Sequence, residues 1–415
     1  IKKVNLLFAV QTAREAEFLV KPPEPTPPEP RYYTPQTLAQ RKGSAQRNIA
    51  RYEKEIASNS SRGYNHYRFA LAVVMAPEEL RTPELLKKAV TSAERAVAEA
   101  PQTPHFQNVL AMAYLRNDDG RALVRFQDNL VNDLGDNQSI ADLYGLALTH
   151  FQAGAADLGK KTFERAVARH RNRMGYIQSS SEWHRLYDLR DEVQGRILGS
   201  RPSEMLAKAD ELVTTGELEK AAETLDELLK VHEDDHWPWY RSAALQLYIE
   251  DKDTWKKQCD RMMKVFGKST HPETAERVGK SCLLSPSIDE ATRTHAQGLI
   301  EIALAKKPDS MWFTLAKGLG QYRAEMHADS IKSLQRALTL RGRASTADVC
   351  IHAVMAMAQF RSDEKDAARE SLSTAQTLRA EKVPTLTDGN LRKDSWHDVF
   401  IADILLREAT AVVGE

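Results

Sequence analysis

The segment DSMWFTLAKGLGQYRAEMHADSIKSLQRALTL, residues 309–340, decides the architecture of the chain. It reads as two amphipathic helices joined by a tight turn. In the first, Trp312, Leu315, Leu319 and Tyr322 recur at helical spacing, with Gly318 where a neighbouring helix can approach closely. In the second, Ser330, Leu334 and Ala337 form the matching stripe, small residues flanking a large one. A hairpin of this size cannot bury its apolar side alone, so it must stack on further copies.

Weaker copies lie on both sides of it. Toward the N-terminus, Ala89, Ala93 and Ala96 give a second-helix stripe closed by Pro101, and Leu110, Ala111 and Tyr114 open a unit turning at Asn117–Gly120. Leu146, Ala147 and Phe151 open the next, which turns at Gly154 and carries Gly159, Phe163 and Ala166 on its second helix. A Ser-rich break at 179–181 precedes a lone helix, 183–198. Units resume with Ala209, Leu212, Gly216, Ala221 and Leu225, then Ala244, Leu247 and Tyr248, then the pair 273–284 and 289–305. The last copy has Ala356, Phe360, Ala368, Leu372 and Ala375, and a helix over 395–413 without a partner fits a terminal cap. Equivalent positions are 36 (Ala111 to Ala147), 35 (Ala209 to Ala244) and 38 (Gly318 to Ala356) residues apart, around the period of about 34 of a tetratricopeptide unit.

These residues resemble the tetratricopeptide-repeat (TPR) family. The small–large–small stripe recurs as Ser330–Leu334–Ala337, Gly159–Phe163–Ala166 and Ala368–Leu372–Ala375. The first-helix glycine is kept at Gly318 and replaced by Ala111, Ala147, Ala244 and Ala356; the turn glycine is kept at Gly154 and Gly216 and replaced by Glu325 and Asp363. Three stretches, 271–286, 315–331 and 396–409, are similar to repeat arrays of planctomycete-like bacteria, where such arrays often follow a serine/threonine kinase domain. The sequence itself holds no glycine-rich phosphate loop, HRD or DFG. The resemblance implies an all-α, right-handed solenoid of about eight stacked hairpins with a C-terminal capping helix.

The segments follow from this reading. Residues 1–33 form an extension whose stretch KPPEPTPPEP (21–30) holds six of the seventeen prolines and favours a polyproline II spacer. Its first ten residues, IKKVNLLFAV, suit a processing remnant, an added strand or a docking peptide. N-terminal helices occupy 34–76, the first part of the array 77–175, a connecting segment 176–201, the second part 202–382 and the cap 383–415. A repeat array relaxes the usual limit on domain size for 415 residues, because each unit contacts only its neighbours.

Composition narrows the function classes. Lys plus Arg and Asp plus Glu both number 58, so no net field draws the chain to nucleic acid or an anionic membrane. Cys259, Cys282 and Cys350 stand far apart in sequence with no CxxC, which suits buried thiols in a reducing, cytoplasmic compartment. No apolar run reaches the length of a membrane span. In HEDDHWPWY (232–240), His232 and His236 with Asp234 and Asp235 have one metal-like spacing, but the segment lies between repeats and Pro238 opposes a continuous helix. There, Trp237, Trp239 and Trp255 are expected to pack the junction. KKTFERAVARHRNR (160–173) is formally +5 yet lacks aromatics to stack bases, and a solvated helix end accounts for it. Ser281 and Cys282 lie in an apolar helix with no glycine elbow. No metal, cofactor or catalytic constellation is called for.

The expected function is therefore a non-catalytic scaffold or adaptor that assembles a multiprotein complex; the alternative is a regulatory or sensory module acting on a partner enzyme such as a kinase in trans. Stacked hairpins line a concave face with their first helices. One inward row reads Leu115, Phe151, Tyr248, Tyr322 and Phe360, and the turn before it Met112, Leu148, Leu245, Leu319 and Met357. Part of both rows fills contacts between hairpins. The remainder, Tyr144, Phe151, Arg241, Tyr248, Trp312, Tyr322 and Phe360, is expected to hold an apolar peptide or helix. Candidate occupants are the chain's own residues 1–10, the same segment of another copy, or a second protein. Chaperone-tail carboxylates are not expected, because the clamp positions of the family hold only Asn108 and Arg241 as polar residues, in different units.

Overall fold

A computed structural model describes residues 38–58, 63–132, 136–173, 180–340, 345–385 and 395–414. The extension 1–33, with IKKVNLLFAV and the proline run, and the expected Thr34–Pro35 helix start lie outside the described residues. Among the described residues there are α-helices and one 3-10 turn (Glu78–Leu80) but no strand.

Nineteen helices follow in order: α1 Leu38–Ala57, α2 Gly63–Val74, α3 Pro83–Glu99, α4 Pro104–Arg116, α5 Arg121–Val131, α6 Asp136–Gln152, α7 Ala156–Arg173, α8 Ser180–Leu198, α9 Pro202–Thr214, α10 Leu218–Val231, α11 His236–Tyr248, α12 Lys252–Phe266, α13 Pro272–Leu283, α14 Glu290–Lys306, α15 Met311–Arg323, α16 His327–Thr339, α17 Ser345–Arg361, α18 Lys365–Lys382 and α19 Trp396–Gly414. Successive helices from α2 to α7 and from α9 to α18 pair as hairpins that stack on their neighbours, an all-α solenoid. Helices α1, α8 and α19 stand outside the hairpins.

Local chemistry sets the helix ends. Pro83, Pro104, Pro202 and Pro272 open their helices, where the missing N–H costs nothing. Asp251, Asp289 and Ser310 accept from the backbone N–H of Thr254, Thr292 and Phe313 as N-caps. Six of the hairpin turns use a left-handed residue. Gly154 and Gly216 supply it at φ 78° and 81°, and Asp118, Glu250, Glu325 and Asp363 adopt it without glycine's freedom, at 54° to 67°.

The deciding hairpin is α15 with α16. Ser330, Leu334 and Ala337 are buried completely, and Ser330 Oγ donates to Gly318 O at 2.8 Å. A Cβ on Gly318 would stand 2.7 Å from Leu334, so the glycine marks the closest approach of the two helices. The apolar interior divides in two. One core gathers residues from Ile49 to Val193, including Leu186, Leu189 and Val193 of α8; the other gathers residues from Ala209 to Val412, including Trp396, Phe400 and Leu405 of α19. Each helix that lacks a hairpin partner in the sequence is thus bound into a core.

Cys259, on α12, and Cys282, on the neighbouring α13, are both buried, and burial, with the Cys282 thiol beside it, pushes the Cys259 thiol up. Trp239 is fully buried at the junction after α10, its Nε1 donating to Glu233 O (2.9 Å). The equally buried Trp255 instead joins α12 to α13 by donating to Ser281 O (3.1 Å), and Trp237 is half-buried against Tyr240 and His397. No described helix is long and apolar enough to cross a membrane.

Candidate functional site: two grooves, each holding a helix

The inner surface of each half is occupied by one of the chain's own helices. In the first half α8 packs against α6 and α7 and buries Leu186 and Val193 in the same core as Ile140 and Tyr144. Glu192 anchors it. Arg116, the last residue of α4, grips both carboxylate oxygens at 2.6 Å, and Arg81 adds a bond of 3.2 Å. Arg116 Nε also donates to Val74 O, at the end of α2 (3.3 Å). Burial alone would raise the Glu192 carboxyl, but the two guanidiniums override it and hold it down at about 2.

In the second half α19 lies along α11, α17 and α18 and makes polar bonds to α9 and α15. It does pack on the last hairpin, as a cap would, but it also runs on across the groove. Trp396 Nε1 donates to Asp210 Oδ1 (2.9 Å), which Arg241 also holds at 2.8 Å. Phe400 stacks on Tyr248 with ring centroids 3.8 Å apart and planes 12° apart. Asp403 is paired with Arg379 (3.0 Å through Nη2). Glu408 meets Arg323 Nη2 at 2.7 Å, while Arg323 Nε and Nη2 donate to Leu283 O and Leu284 O at the end of α13. Asp398 accepts from Tyr240 at 3.5 Å, and burial pushes its carboxyl up despite the nearby Lys280 ammonium. That ammonium pairs with Glu276 at 2.6 Å and lies about 5 Å from the Tyr240 and Trp312 ring centres.

The same device thus appears twice. An arginine closing one inner helix bonds the carbonyl end of the preceding inner helix and holds a glutamate of the inserted helix: Arg116, Val74 and Glu192, then Arg323, Leu283 and Glu408. The inserted helices also share a sequence start, Trp183-His184 with Tyr187 and Trp396-His397 with Phe400. That repeated tryptophan–histidine pair was the available signal for a groove helix, and the hairpin period passes over it because neither helix belongs to a hairpin.

Of the expected partner-binding residues, Tyr144 is fully buried and its hydroxyl is bonded to His170 Nδ1 at 2.9 Å. Phe151 is half-buried near the C-terminal end of α6. Arg241 is buried on Asp210 between Trp237 and Trp396. Tyr248 stacks on α19, Trp312 lies under Lys280, Tyr322 is almost buried beside Arg323, and Phe360 packs half-exposed on the second core. In the second half Arg241 and Tyr248 meet α19 directly, and Tyr322 stands next to Arg323, which holds Glu408. The row Met112, Leu148, Leu245, Leu319 and Met357 is core throughout. A cleft of about 430 Å³ remains beside α19, lined by Tyr248, Gln376, Asp403, Leu406, Arg407 and Thr410.

The other sequence clusters serve the joint between halves. Arg190 of α8 and Asp234 form a buried bidentate pair at 2.7 and 2.9 Å. His170 and His232 are held neutral, down to about 3, first by burial and then by the Arg190 charge. Asp235 caps α11 through Trp237 N. Among the described residues no cluster of His, Cys, Asp and Glu could hold a metal ion. Of the basic run on α7, Arg171 pairs across the joint with Glu233 and Asp234. At the clamp positions, Asn108 donates to Asp142 and Arg241 is committed to Asp210.

No protein-family model and no curated protein matches the chain. Among solved structures it is similar to the APC/C Cut9–Hcn1 assembly (12% identity, 89% of this chain and 93% of that one, TM-score 0.33). A tetratricopeptide repeat protein from Parabacteroides merdae matches at 10% identity over 76% of this chain and 100% of that one, TM-score 0.31. MamA from Desulfovibrio magneticus matches at 18% identity over 43% of this chain and 96% of that one, TM-score 0.31. The all-α solenoid of stacked hairpins rests on the helices and cores described above.

Proposed function

We propose that the chain is a non-catalytic scaffold that assembles a protein complex by receiving a helical segment of a partner in its second groove. The observation that carries this is the seating of α19. A helix of nineteen residues is gripped there by aromatic faces and cations placed at intervals along the groove: Arg241, Tyr248, Lys280 and Arg323. Such a surface suits helix-in-groove recognition, in which buried aromatic and arginine anchors dominate the affinity. Arg241, Tyr248, Trp312, Tyr322 and Phe360 are the residues assigned to it, with Tyr144 and Phe151 supporting the corresponding face of the first half. Equal numbers of cations and anions favour a protein partner over nucleic acid.

The test replaces Trp312 with a photo-crosslinking residue in the full chain and maps the adducts formed in cells of the source organism. Adducts confined to helical segments of one partner are expected. A Tyr248→Ala/Trp312→Ala/Tyr322→Ala variant that still folds should lose that partner, since each anchor is worth on the order of 2 kcal/mol. Retention of the same partner by the folded triple variant would sink the assignment.

A further inference from the structure

Resting on that reading, we infer that the partner of the second groove is an acidic amphipathic helix carrying the pattern of α19, and that α19 is its built-in competitor. The pattern is a tryptophan with an aromatic residue four positions on and acids at the second, seventh and twelfth positions after it: Trp396, Asp398, Phe400, Asp403 and Glu408. Each element has a receptor. Trp396 lies beside Arg241 over Asp210, Asp398 meets Tyr240 and Lys280, Phe400 stacks on Tyr248, Asp403 pairs with Arg379, and Glu408 with Arg323. The complementarity is of charge as well as shape, cations on the groove wall and carboxylates on the helix.

The two inserted helices are held differently. Helix α8 carries, besides its groove glutamate, ion pairs and bonds to elements on both sides: Asp188 to Arg41, Arg190 to Asp234, Asp191 to Ser203 and Arg196 to Glu78. It is a structural joint. Among the described residues the polar bonds of α19 all go to the second half, and one flank stays open to the 430 Å³ cleft. Its outward residues Arg407 and Thr410 are exposed. A competing helix can therefore engage the cleft while α19 is seated, then take its place. A tethered occupant competes as though present at roughly millimolar concentration, so it sets a threshold that only a helix of matching pattern passes.

The probe is a labelled synthetic peptide of residues 395–414, titrated by fluorescence anisotropy into the unaltered full chain and into the full chain carrying Trp396→Ala and Phe400→Ala. The double variant should bind it at least ~10-fold more tightly than the unaltered chain, and adding Arg323→Gln should abolish that gain. Equal affinity for both chains, or no binding to a folded double variant, overturns the inference. Should the double variant fail to fold, hydrogen exchange on the unaltered chain decides: α19 amides exchanging ahead of those of α15 and α17 support a displaceable helix, and equal protection refutes it. A dimer of the unaltered chain with α19 exchanged between copies would make a second copy the occupant and overturn the partner assignment. A partner captured equally well by the unaltered chain and the double variant removes the competitor and leaves the scaffold intact. A displaceable α19 whose groove triple variant keeps its partner removes the scaffold reading instead.

Discussion

Asp142 sits on α6 with Oδ1 accepting from Asn108 (2.8 Å) and Asn129 (3.0 Å), while Oδ2 is buried without a hydrogen-bond partner. Burial pushes its carboxyl up to about 7, and the two amide donors only moderate the rise. The folded value thus lies above the unfolded one of about 4. Between those limits the folded chain holds the proton more tightly, so this residue's contribution is fully present below about pH 4 and is lost as pH rises to about 7. The loss is on the order of 4 kcal/mol. Asp142→Asn keeps the acceptor and removes the titration. Urea midpoints at pH 5 and pH 8 should lie closer together in the variant than in the unaltered chain, and an unchanged gap would assign the pH response to other groups. Nothing in the sequence marks Asp142, because its partners come from α4 and α5 and the asparagine at 108 reads there as half of a missing ligand clamp.

At the level of helices, the repeat stripe and the turns were legible because both are local. Ser330, Leu334 and Ala337 lie where helical spacing puts them, and Glu325 and Asp363 take the left-handed conformation at the places where the family's turn glycine is absent. What spacing does not reveal is which glycine touches backbone. Gly318 was readable from its alignment with the stripe, whereas Gly279 of α13 was not, and its added Cβ would stand 2.7 Å from Ala296 O and 2.9 Å from Ile300 Cγ1. Backbone cannot move aside as a side-chain tip can. Gly279→Ala gains up to about 1 kcal/mol of helix propensity but overpacks the α13–α14 contact at a cost of roughly 1–3 kcal/mol, so its melting temperature should fall. Gly298→Ala on α14, where the new Cβ meets nothing within 4 Å, should instead stabilise by about 0.5–1 kcal/mol. Calorimetry of the two variants side by side checks the pair, and a gain in both would mean that α13 and α14 stand further apart than described. The groove helices were half legible: the amphipathic stretches at 183–198 and 395–413 were plain, but the surfaces that receive them are assembled from inner helices far apart in sequence.

For the molecule as a whole, two cores meet at a polar joint, and Arg190 decides whether they act as one. Its guanidinium and the Asp234 carboxylate are 3% and 4% exposed, so the pair is shielded from salt and water. Burial alone would raise the Asp234 carboxyl; the Arg190 charge reverses that and holds it well below the usual carboxylate range. A depressed folded value contributes stability above the unfolded value of about 4 and loses it as pH falls further. Arg190→Ala leaves Asp234 buried with the half-exposed Arg171, at 3.6 Å, as its remaining cationic partner, and breaking such a pair costs about 3–5 kcal/mol. The loss falls on the joint rather than on either core, since α8 keeps Glu192 in the first groove and α11 keeps Trp239 in the second core. Thermal unfolding of Arg190→Ala should therefore separate into two steps, and acidification from pH 5 to pH 3 should no longer cost it the stability that the unaltered chain loses. Replacing both partners, Arg190→Met with Asp234→Leu, removes the stranded charge and should return the melt toward a single transition. A single transition in Arg190→Ala, shifted by less than ~1 kcal/mol, would show that the two cores are joined by their apolar contacts and not by this pair.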